Sequence, residues 1–280
     1  MLKLLNHPSA ADFLNACGEF LLQNEIAHCV MLGSSMRLRD KPGRNDSCAY
    51  FASIQRNDQT VASAFFAANK PMHATSMSPA MIDLLIDDMQ RRNLSPDDLS
   101  ADEQTAREFA ARWSKASNVD FIEDYPLRIY QLQKIIVPRP VTGELRLADR
   151  ADAKQAADWA EAFDSEVDFG DAQGIRDMVL IALEERRLYL WDDGGAVSML
   201  LRNQPTPNAE RVSVVYTPPD KRGKGYGAAA NAALAQIILD SGKRYACLFA
   251  EVGNPVSNKM YLSIGYQAVC DVHRYKLVAK

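Results

Sequence analysis

The sequence has few residues of the kinds that build metal, redox or disulfide sites. Its five cysteines are scattered, without Cys-x-x-Cys spacing, at Cys17, Cys29, Cys48, Cys247 and Cys270. They stand mostly in apolar runs, so we expect buried, reduced thiols in a cytoplasmic protein. The four histidines are isolated from one another along the chain, and no metal site is expected: His7, His28, His73 and His273.

Positive charge is not in excess either. Lysine and arginine together number 32 against 36 acidic residues, a formal net charge of −4. This balance gives no reason to expect a nucleic acid or an anionic membrane as partner. No apolar run approaches the length of a membrane span, and the start of the chain lacks a signal-length apolar core. The composition is that of a globular protein of one or two domains.

One stretch stands out, from Val212 to Gly227. Its first residues are β-branched or aromatic and predict a strand, which Pro218 and Pro219 end because proline cannot donate to a ladder. Glycines follow at alternate positions, and the alanine-rich segment from Ala228 to Ser241 then predicts a helix. The glycines therefore stand at the start of a helix, where unpaired N–H groups and the helix dipole favour an anion such as a diphosphate.

Two general nucleotide-binding patterns compete for this stretch. The phosphate loop of NTPases requires a lysine followed by serine or threonine, and no such pair closes this loop. The Rossmann fingerprint fits Gly223-x-Gly225-x-x-Ala228 literally, with Glu251 as a ribose-binding acid. Its context is wrong, because Thr217 to Arg222 separate the strand from the glycines and too little chain follows Glu251. A dinucleotide oxidoreductase therefore stays only as an alternative.

A third pattern, Arg222-Gly-Lys-Gly225-Tyr-Gly227, resembles the acyl-CoA loop of the GNAT superfamily of N-acetyltransferases. A second match follows it in the family's order, with Asn254, then Tyr261 seven residues later, then Gly265-Tyr266. Asn254 and Pro255 suit a helix start, so Asn258 and Tyr261 should share one face of a short helix ending near Ile264.

The resemblance implies roles for these residues. Tyr261 would protonate the leaving thiolate of acetyl-CoA, the co-substrate, and the catalytic base would be Glu251 or Glu210. The splayed end of the strand before the loop would bind pantetheine and the acetyl carbonyl, and the loop amides would hold the diphosphate. The residues expected to bind the coenzyme are Val214, Val215, Tyr216, Arg222, Gly223, Lys224, Gly225, Tyr226, Gly227, Asn254 and Asn258.

Pattern analysis of the whole chain predicts two domains, at residues 1–138 and 141–280, on either side of Pro138-Arg-Pro140. From residue 144 the predicted order is β-α-α-β-β-β-α-β-α-β, which is the order of the GNAT superfamily. We expect an α/β (α+β) protein with a mixed, mostly antiparallel central sheet flanked by helices. The first half would be a degenerate copy, since the loop from Ala67 to His73 has no glycine series.

The expected function is therefore transfer of an acetyl group from acetyl-CoA to a primary amine by direct attack. The acceptor would be a small-molecule or peptide amine. The sequence leaves open whether the protein forms a homodimer. The alternative is a non-catalytic, regulatory protein that binds acyl-CoA without turnover.

Overall fold

The computed structural model describes residues 1–41, 49–67, 71–117, 119–167, 171–203 and 205–279, so Cys48 lies outside the described residues. The described helices are α1 Ala10–Leu22, α2 Cys29–Asp40, α3 Pro79–Arg91, α4 Glu103–Ala116, α5 Ala153–Val167, α6 Ala172–Glu184, α7 Tyr226–Asp240 and α8 Pro255–Ser263. The described strands are β1 Leu2–Asn6, β2 Tyr50–Arg56, β3 Gln59–Phe66, β4 Met72–Ala74, β5 Asp98–Ala101, β6 Val119–Leu132, β7 Glu144–Leu147, β8 Leu188–Asp192, β9 Ala196–Arg202, β10 Ala209–Tyr216, β11 Tyr245–Glu251 and β12 Gln267–Ala279.

The two halves of the chain repeat one order of elements. Both run β-α-α-β-β-β-α-β-α-β, from β1 to β6 and again from β7 to β12. The order predicted from residue 144 onward is thus confirmed, and the first half shows the same order without the glycine loop.

The chain divides into two compact units. The first comprises Met1–Ile129, Ala250–Asn254 and Val269–Lys280, and the second comprises Tyr130–Phe249 and Pro255–Ala268. In the first unit the strands lie in the order β1-β2-β3-β4-β5-β12, so the last strand of the chain pairs with β5. In the second unit the order is β11-β10-β9-β8-β7. The division at residues 138–141 stays a prediction.

The sheets are mixed and mostly antiparallel, as predicted. Among the strand pairs whose register is described, only β4 with β5 and β10 with β11 are parallel. Helices cover the sheet faces through apolar stripes, and in the second unit Val179 of α6 packs with Leu190 and Met199 of the hairpin. Residues Asp192-Asp-Gly-Gly195 are a strong turn signal, and β8 and β9 form a hairpin around them.

Two helices begin directly after an aspartate whose side chain caps them. Asp102 accepts a hydrogen bond from the Thr105 N–H at 3.0 Å, and Asp171 accepts one from the Gly174 N–H, also at 3.0 Å. These caps hold N–H groups that the helix itself leaves unpaired.

Several elements of the first half are not apparent from the sequence. Strands β1, β4 and β5 have only three to five residues, too few to show a period, and α2 opens without a side-chain cap. The alternation of apolar and polar residues predicts a strand at residues 127–135, but β6 runs from Val119 to Leu132. The pattern misses the first part of the strand because its acidic residues and Pro126 obscure the alternation.

The position of β4 shows that residues 67–73 are not the counterpart of the glycine loop. Residues 68–70 of the loop compared above lie outside the described residues, and the loop ends where β4 begins, at Met72. The counterpart of the glycine loop is the segment from Thr75 to Ser78, between β4 and α3.

No helix in the described ranges is long and apolar enough to cross a membrane. The residues that the structure describes also contain no group of three or more His, Cys, Asp or Glu side chains placed to hold a metal ion. Cys17, Cys29 and Cys247 are buried.

Candidate functional site

Strand β10 is irregular where it approaches the glycine loop. It pairs with β9 at Val212 and Ser213 and again at Tyr216, with a shift of register between them. Val214 takes a φ of +47° there, a conformation that β-branched residues rarely adopt. A bulge of this kind bends a strand away from its neighbour.

On its other side, β10 separates from β11. Among the described residues, their parallel pairing ends at Arg211 and Cys247, although β10 continues to Tyr216. The backbone of Val214, Val215 and Tyr216 is therefore not paired with β11. This is the splayed strand end that the resemblance predicts.

The glycine loop opens α7 as expected. Gly225 is the N-cap, with φ +93°, and the helix begins at Tyr226, two residues earlier than predicted. The Ala229 N–H bonds to the Gly225 carbonyl, so the amides of Tyr226, Gly227 and Ala228 have no carbonyl partner within the helix. No side chain caps this end, and Arg222, Gly223 and Lys224 are exposed.

The side chains of Arg222 and Tyr226 brace the loop. The Arg222 guanidinium donates to the Thr217 carbonyl at 2.8 Å and to both carboxylate oxygens of Glu166 at 2.7 and 2.6 Å. The Tyr226 hydroxyl donates to the carboxylate of Asp193, and this hydrogen bond holds the pKa of Asp193 below its usual value. These two residues therefore offer a ligand their backbone more readily than their side chains.

Helix α8 lies against the start of α7. A Cβ atom on Gly227 would come 3.3 Å from the Thr217 hydroxyl oxygen and 3.4 Å from the Met260 sulfur. Glycine at this position thus lets the two helices approach closely. The approach brings the helix that carries Tyr261 next to the loop.

Tyr261 is buried, with 7% of its surface exposed. Its ring lies 6.2 Å from that of Tyr130 and 5.8 Å from that of Tyr266, measured between centroids. Burial raises the pKa of the Tyr261 hydroxyl, so the group stays protonated at neutral pH and can serve as a proton donor. Within the part of the chain that the structure describes, this hydroxyl makes no hydrogen bond.

Tyr130 contacts both Asn258 and Tyr261, and the sequence analysis did not predict it as part of the site. Its hydroxyl donates to the Asn258 side-chain oxygen at 2.9 Å, and only 1% of its surface is exposed. The contact joins residues 128 positions apart. The only local signal for Tyr130 was the alternation of apolar and polar residues in β6. This alternation predicts a half-buried strand and no functional role. Asn258 is thus held in place from β6, beside Tyr261.

The two candidate bases belong to different units. Glu210 is 4% exposed and ion-paired with Arg202 at 2.7 Å. It stands six residues before Tyr216, roughly 20 Å away along an extended strand. Glu251 and the exposed Asn254 belong to the first unit, at the end of β11 and directly before α8.

The corresponding helix start in the first unit is closed. Pro79 is the first residue of α3 and has no N–H group, and Ser78 precedes it as N-cap. The Met77 N–H donates to the Thr105 hydroxyl at 2.9 Å. The connection from Thr75 to Ser78 contains no glycine. The glycine loop of the second unit therefore has no counterpart in this connection.

Comparisons with known proteins agree with this geometry. A family model described as FR47-like protein matches residues 193–275. A GNAT-family acetyltransferase from Colwellia psychrerythraea is 10% identical, with a TM-score of 0.61 and coverage of 99% of this chain and 100% of that chain. A GCN5-related N-acetyltransferase from Sphaerobacter thermophilus is 14% identical, with a TM-score of 0.62 and coverage of 99% and 95%.

A third solved structure is a tandem GNAT protein from the clavulanic acid biosynthesis pathway. It is 11% identical, with a TM-score of 0.54 and coverage of 100% of this chain and 98% of that chain. No curated protein matches the chain. The resemblance stated from the motifs is confirmed: the chain has the GNAT fold, and its C-terminal residues 193–275 match the GNAT-related FR47-like model.

Proposed function

We propose that the second unit transfers an acetyl group from acetyl-CoA to a primary amine of a small molecule or peptide. The observation that carries the proposal is the exposed glycine loop at the start of α7, which follows a strand that has parted from β11. Unpaired amides at a helix start bind a diphosphate, and an unpaired strand edge can bind the amide groups of pantetheine.

The chemistry follows from the atoms involved. The amine nitrogen attacks the thioester carbonyl, a tetrahedral intermediate forms, and the C–S bond then breaks to release the thiolate. Tyr261 donates its proton to the sulfur, a role that suits a buried hydroxyl whose pKa is raised. The nitrogen loses its proton to a base.

The expectation from the sequence that Glu251 is that base stays a prediction. The ion pair between Glu210 and Arg202 keeps the Glu210 carboxylate engaged at the far end of β10, which argues against Glu210. Replacing Glu251 with Gln should lower turnover at neutral pH and relieve the loss as pH rises, since more of the amine is then already deprotonated. A pH profile indistinguishable from that of the wild type would remove Glu251 from the mechanism.

A pair of variants at Gly223 tests the loop. Gly223 has φ +77° and open space around its Cβ position, whereas a Cβ on Gly225 would come 3.1 Å from Val141 Cγ1. Asparagine and aspartate both tolerate positive φ, so Gly223→Asp and Gly223→Asn differ mainly in charge. We expect Gly223→Asp to weaken acetyl-CoA binding by about tenfold or more relative to Gly223→Asn, measured by isothermal titration. Equal affinities would mean that the loop does not bind the phosphates.

Turnover needs a separate assay. Release of CoA thiol is followed over a library of primary amines, with the wild type compared with Tyr261→Phe. Thiol release that depends on one class of amine would identify the acceptor. Tight binding without thiol release from any amine would favour the alternative of a non-catalytic acyl-CoA-binding protein.

A further inference from the structure

Ser198 is a polar residue in the middle of a buried strand. It stands in β9 within the buried run from Val197 to Leu201, and the other four residues of that run are apolar. Its own exposed fraction is 0%. A hydroxyl group among apolar side chains is costly unless it is hydrogen-bonded, so the partners of this hydroxyl indicate its role.

The Ser198 hydroxyl is bonded to the two residues at which β10 ends. It donates to the Tyr216 carbonyl at 2.9 Å, and its oxygen lies 2.9 Å from the hydroxyl oxygen of Thr217. A serine hydroxyl has one proton, and here that proton points to the carbonyl, so Thr217 is the donor in the second hydrogen bond. Both bonds lie beyond Val214, where the register of β10 with β9 shifts. Ser198 therefore fixes the end of β10 after its irregular part.

Thr217 extends this contact to the start of α7. Its carbonyl accepts the hydrogen bond from the Arg222 Nε at 2.8 Å, and its hydroxyl oxygen lies 3.3 Å from the position of a Cβ atom on Gly227. Thr217 thus contacts both the loop before α7 and the first turn of the helix. All of these residues belong to the second unit. Ser198 is therefore connected through Thr217 to the start of the helix.

We propose that Ser198 and Thr217 are positioning residues of the transferase site, and that their two hydroxyl groups set the spacing between the end of β10 and the start of α7. The inference rests on the proposed function, in which one ligand, acetyl-CoA, contacts both places. Such a ligand binds well only when the two places stand at the distance that it spans. A ligand that contacts the loop alone does not depend on this distance. Neither hydroxyl is assigned a contact with acetyl-CoA itself.

Ser198→Ala tests the first hydroxyl by removing it from the strand. We expect the affinity for acetyl-CoA, measured by isothermal titration, to fall by about tenfold because the hydrogen bonds that fix the strand end are lost. The affinity for adenosine 3′-phosphate 5′-diphosphate, which has the diphosphate but no pantetheine arm, should stay that of the wild type. Equal weakening of both ligands would indicate a general structural role and would overturn the proposal, as would no weakening of either.

A pair of variants at Thr217 tests the second hydroxyl. Thr217→Val removes the hydroxyl, whereas Thr217→Ser keeps it. We expect Thr217→Val to bind acetyl-CoA more weakly and Thr217→Ser to bind it like the wild type. The double variant Ser198→Ala/Thr217→Val should lose no more affinity than Ser198→Ala alone, because the two hydroxyls act as one contact. Additive losses, or equal affinities of the two Thr217 variants, would contradict the proposal.

Ser63→Ala is the matched control for the loss of a buried hydroxyl. Ser63 is also 0% exposed, stands in β3 of the first unit and donates to the Met31 sulfur of α2 at 3.3 Å. Its replacement should alter the affinity for neither ligand. A loss of acetyl-CoA affinity like that of Ser198→Ala would mean that any buried hydroxyl has this effect, and the proposal would be wrong.

The two proposals fail in different ways. If the wild type does not bind acetyl-CoA, the proposed function is wrong and this inference falls with it. If the wild type binds acetyl-CoA and the variants at Ser198 and Thr217 behave like the control, only the positioning role is wrong.

Discussion

Tyr261 illustrates how one side chain combines packing with chemistry. Its ring is held between two other tyrosine rings, so the hydroxyl has a fixed position. The same burial raises its pKa and keeps it protonated. A phenol held in this way is suited to donate a proton rather than to accept one.

Replacing Tyr261 with Phe should keep the packing and remove only the proton donor. We expect turnover to fall by about 10² to 10⁴, the usual effect of removing a general acid, with little change in acetyl-CoA affinity. Steady-state kinetics and titration calorimetry measure the two quantities separately. Tyr245→Phe is the control, a partly exposed tyrosine at the start of β11. Full activity of Tyr261→Phe would mean that the residue only packs.

Asn231 of α7 is a buried polar residue whose side chain lacks a hydrogen-bond partner among the described residues. It is 0% exposed, and neither its side-chain oxygen nor its nitrogen has a hydrogen-bond partner among the described residues. Asn231→Leu replaces the unpaired amide with an apolar group of similar size, so we expect the free energy of unfolding to rise by about 1 to 2 kcal/mol. Urea denaturation measures it, with Gln236→Leu as the exposed control on the same helix. Lower stability of Asn231→Leu would mean that the amide is satisfied in solution by a buried water.

At the scale of elements, the loop before α7 is held by its neighbours. The ion pair between Arg222 and Glu166 ties the loop to the last turn of α5, and the hydrogen bond from Tyr226 to Asp193 ties it to the hairpin of β8 and β9. The loop is thus positioned before a ligand arrives, which lowers the entropy lost on binding.

Glu166 also places a negative charge near the predicted phosphate site. Glu166→Gln should release Arg222 toward the diphosphate and tighten acetyl-CoA binding by up to about fivefold, since an exposed ion pair contributes at most about 1 kcal/mol. Calorimetric titration measures the change. The control is Glu161→Gln, on the same helix as Glu166, which removes an ion pair with Arg176 of α6 and should not alter the affinity. Weaker binding of the Glu166 variant would show that the ion pair itself maintains the loop.

Most of the predictions about where these elements begin and end rested on glycine and proline residues. Gly225 and Gly242 both take positive φ at the two ends of α7, and Pro79 and Pro255 open their helices. What the sequence did not show is long-range: the contact of Tyr130 with Asn258, and the fit of residues 135–141 along α7. Such contacts depend on tertiary packing and leave no local pattern.

At the scale of the whole molecule, the repeated order of elements separates fold from function. Both halves build the same series of strands and helices, yet among the described residues only the second has glycines at the start of its central helix. The matching helix of the first begins with Pro79, which has no N–H group, and the Met77 N–H before it donates to the Thr105 hydroxyl. The same architecture therefore supports a ligand site in one unit, and we infer none at the matching place in the other.

This difference predicts the stoichiometry of binding. One acetyl-CoA should bind per chain, because α3 begins with a proline, which has no N–H group, and the connection before it contains no glycine. Titration calorimetry on protein of known concentration gives the number of sites. A value near two would contradict the view of the first unit as a degenerate copy.

The most direct test of the account is a crystal structure of the chain with acetyl-CoA. The account predicts diphosphate oxygens within hydrogen-bonding distance of the backbone nitrogens of residues 225–228, with the thioester next to the unpaired end of β10. Coenzyme density elsewhere on the molecule, with those nitrogens covered by protein side chains, would contradict it.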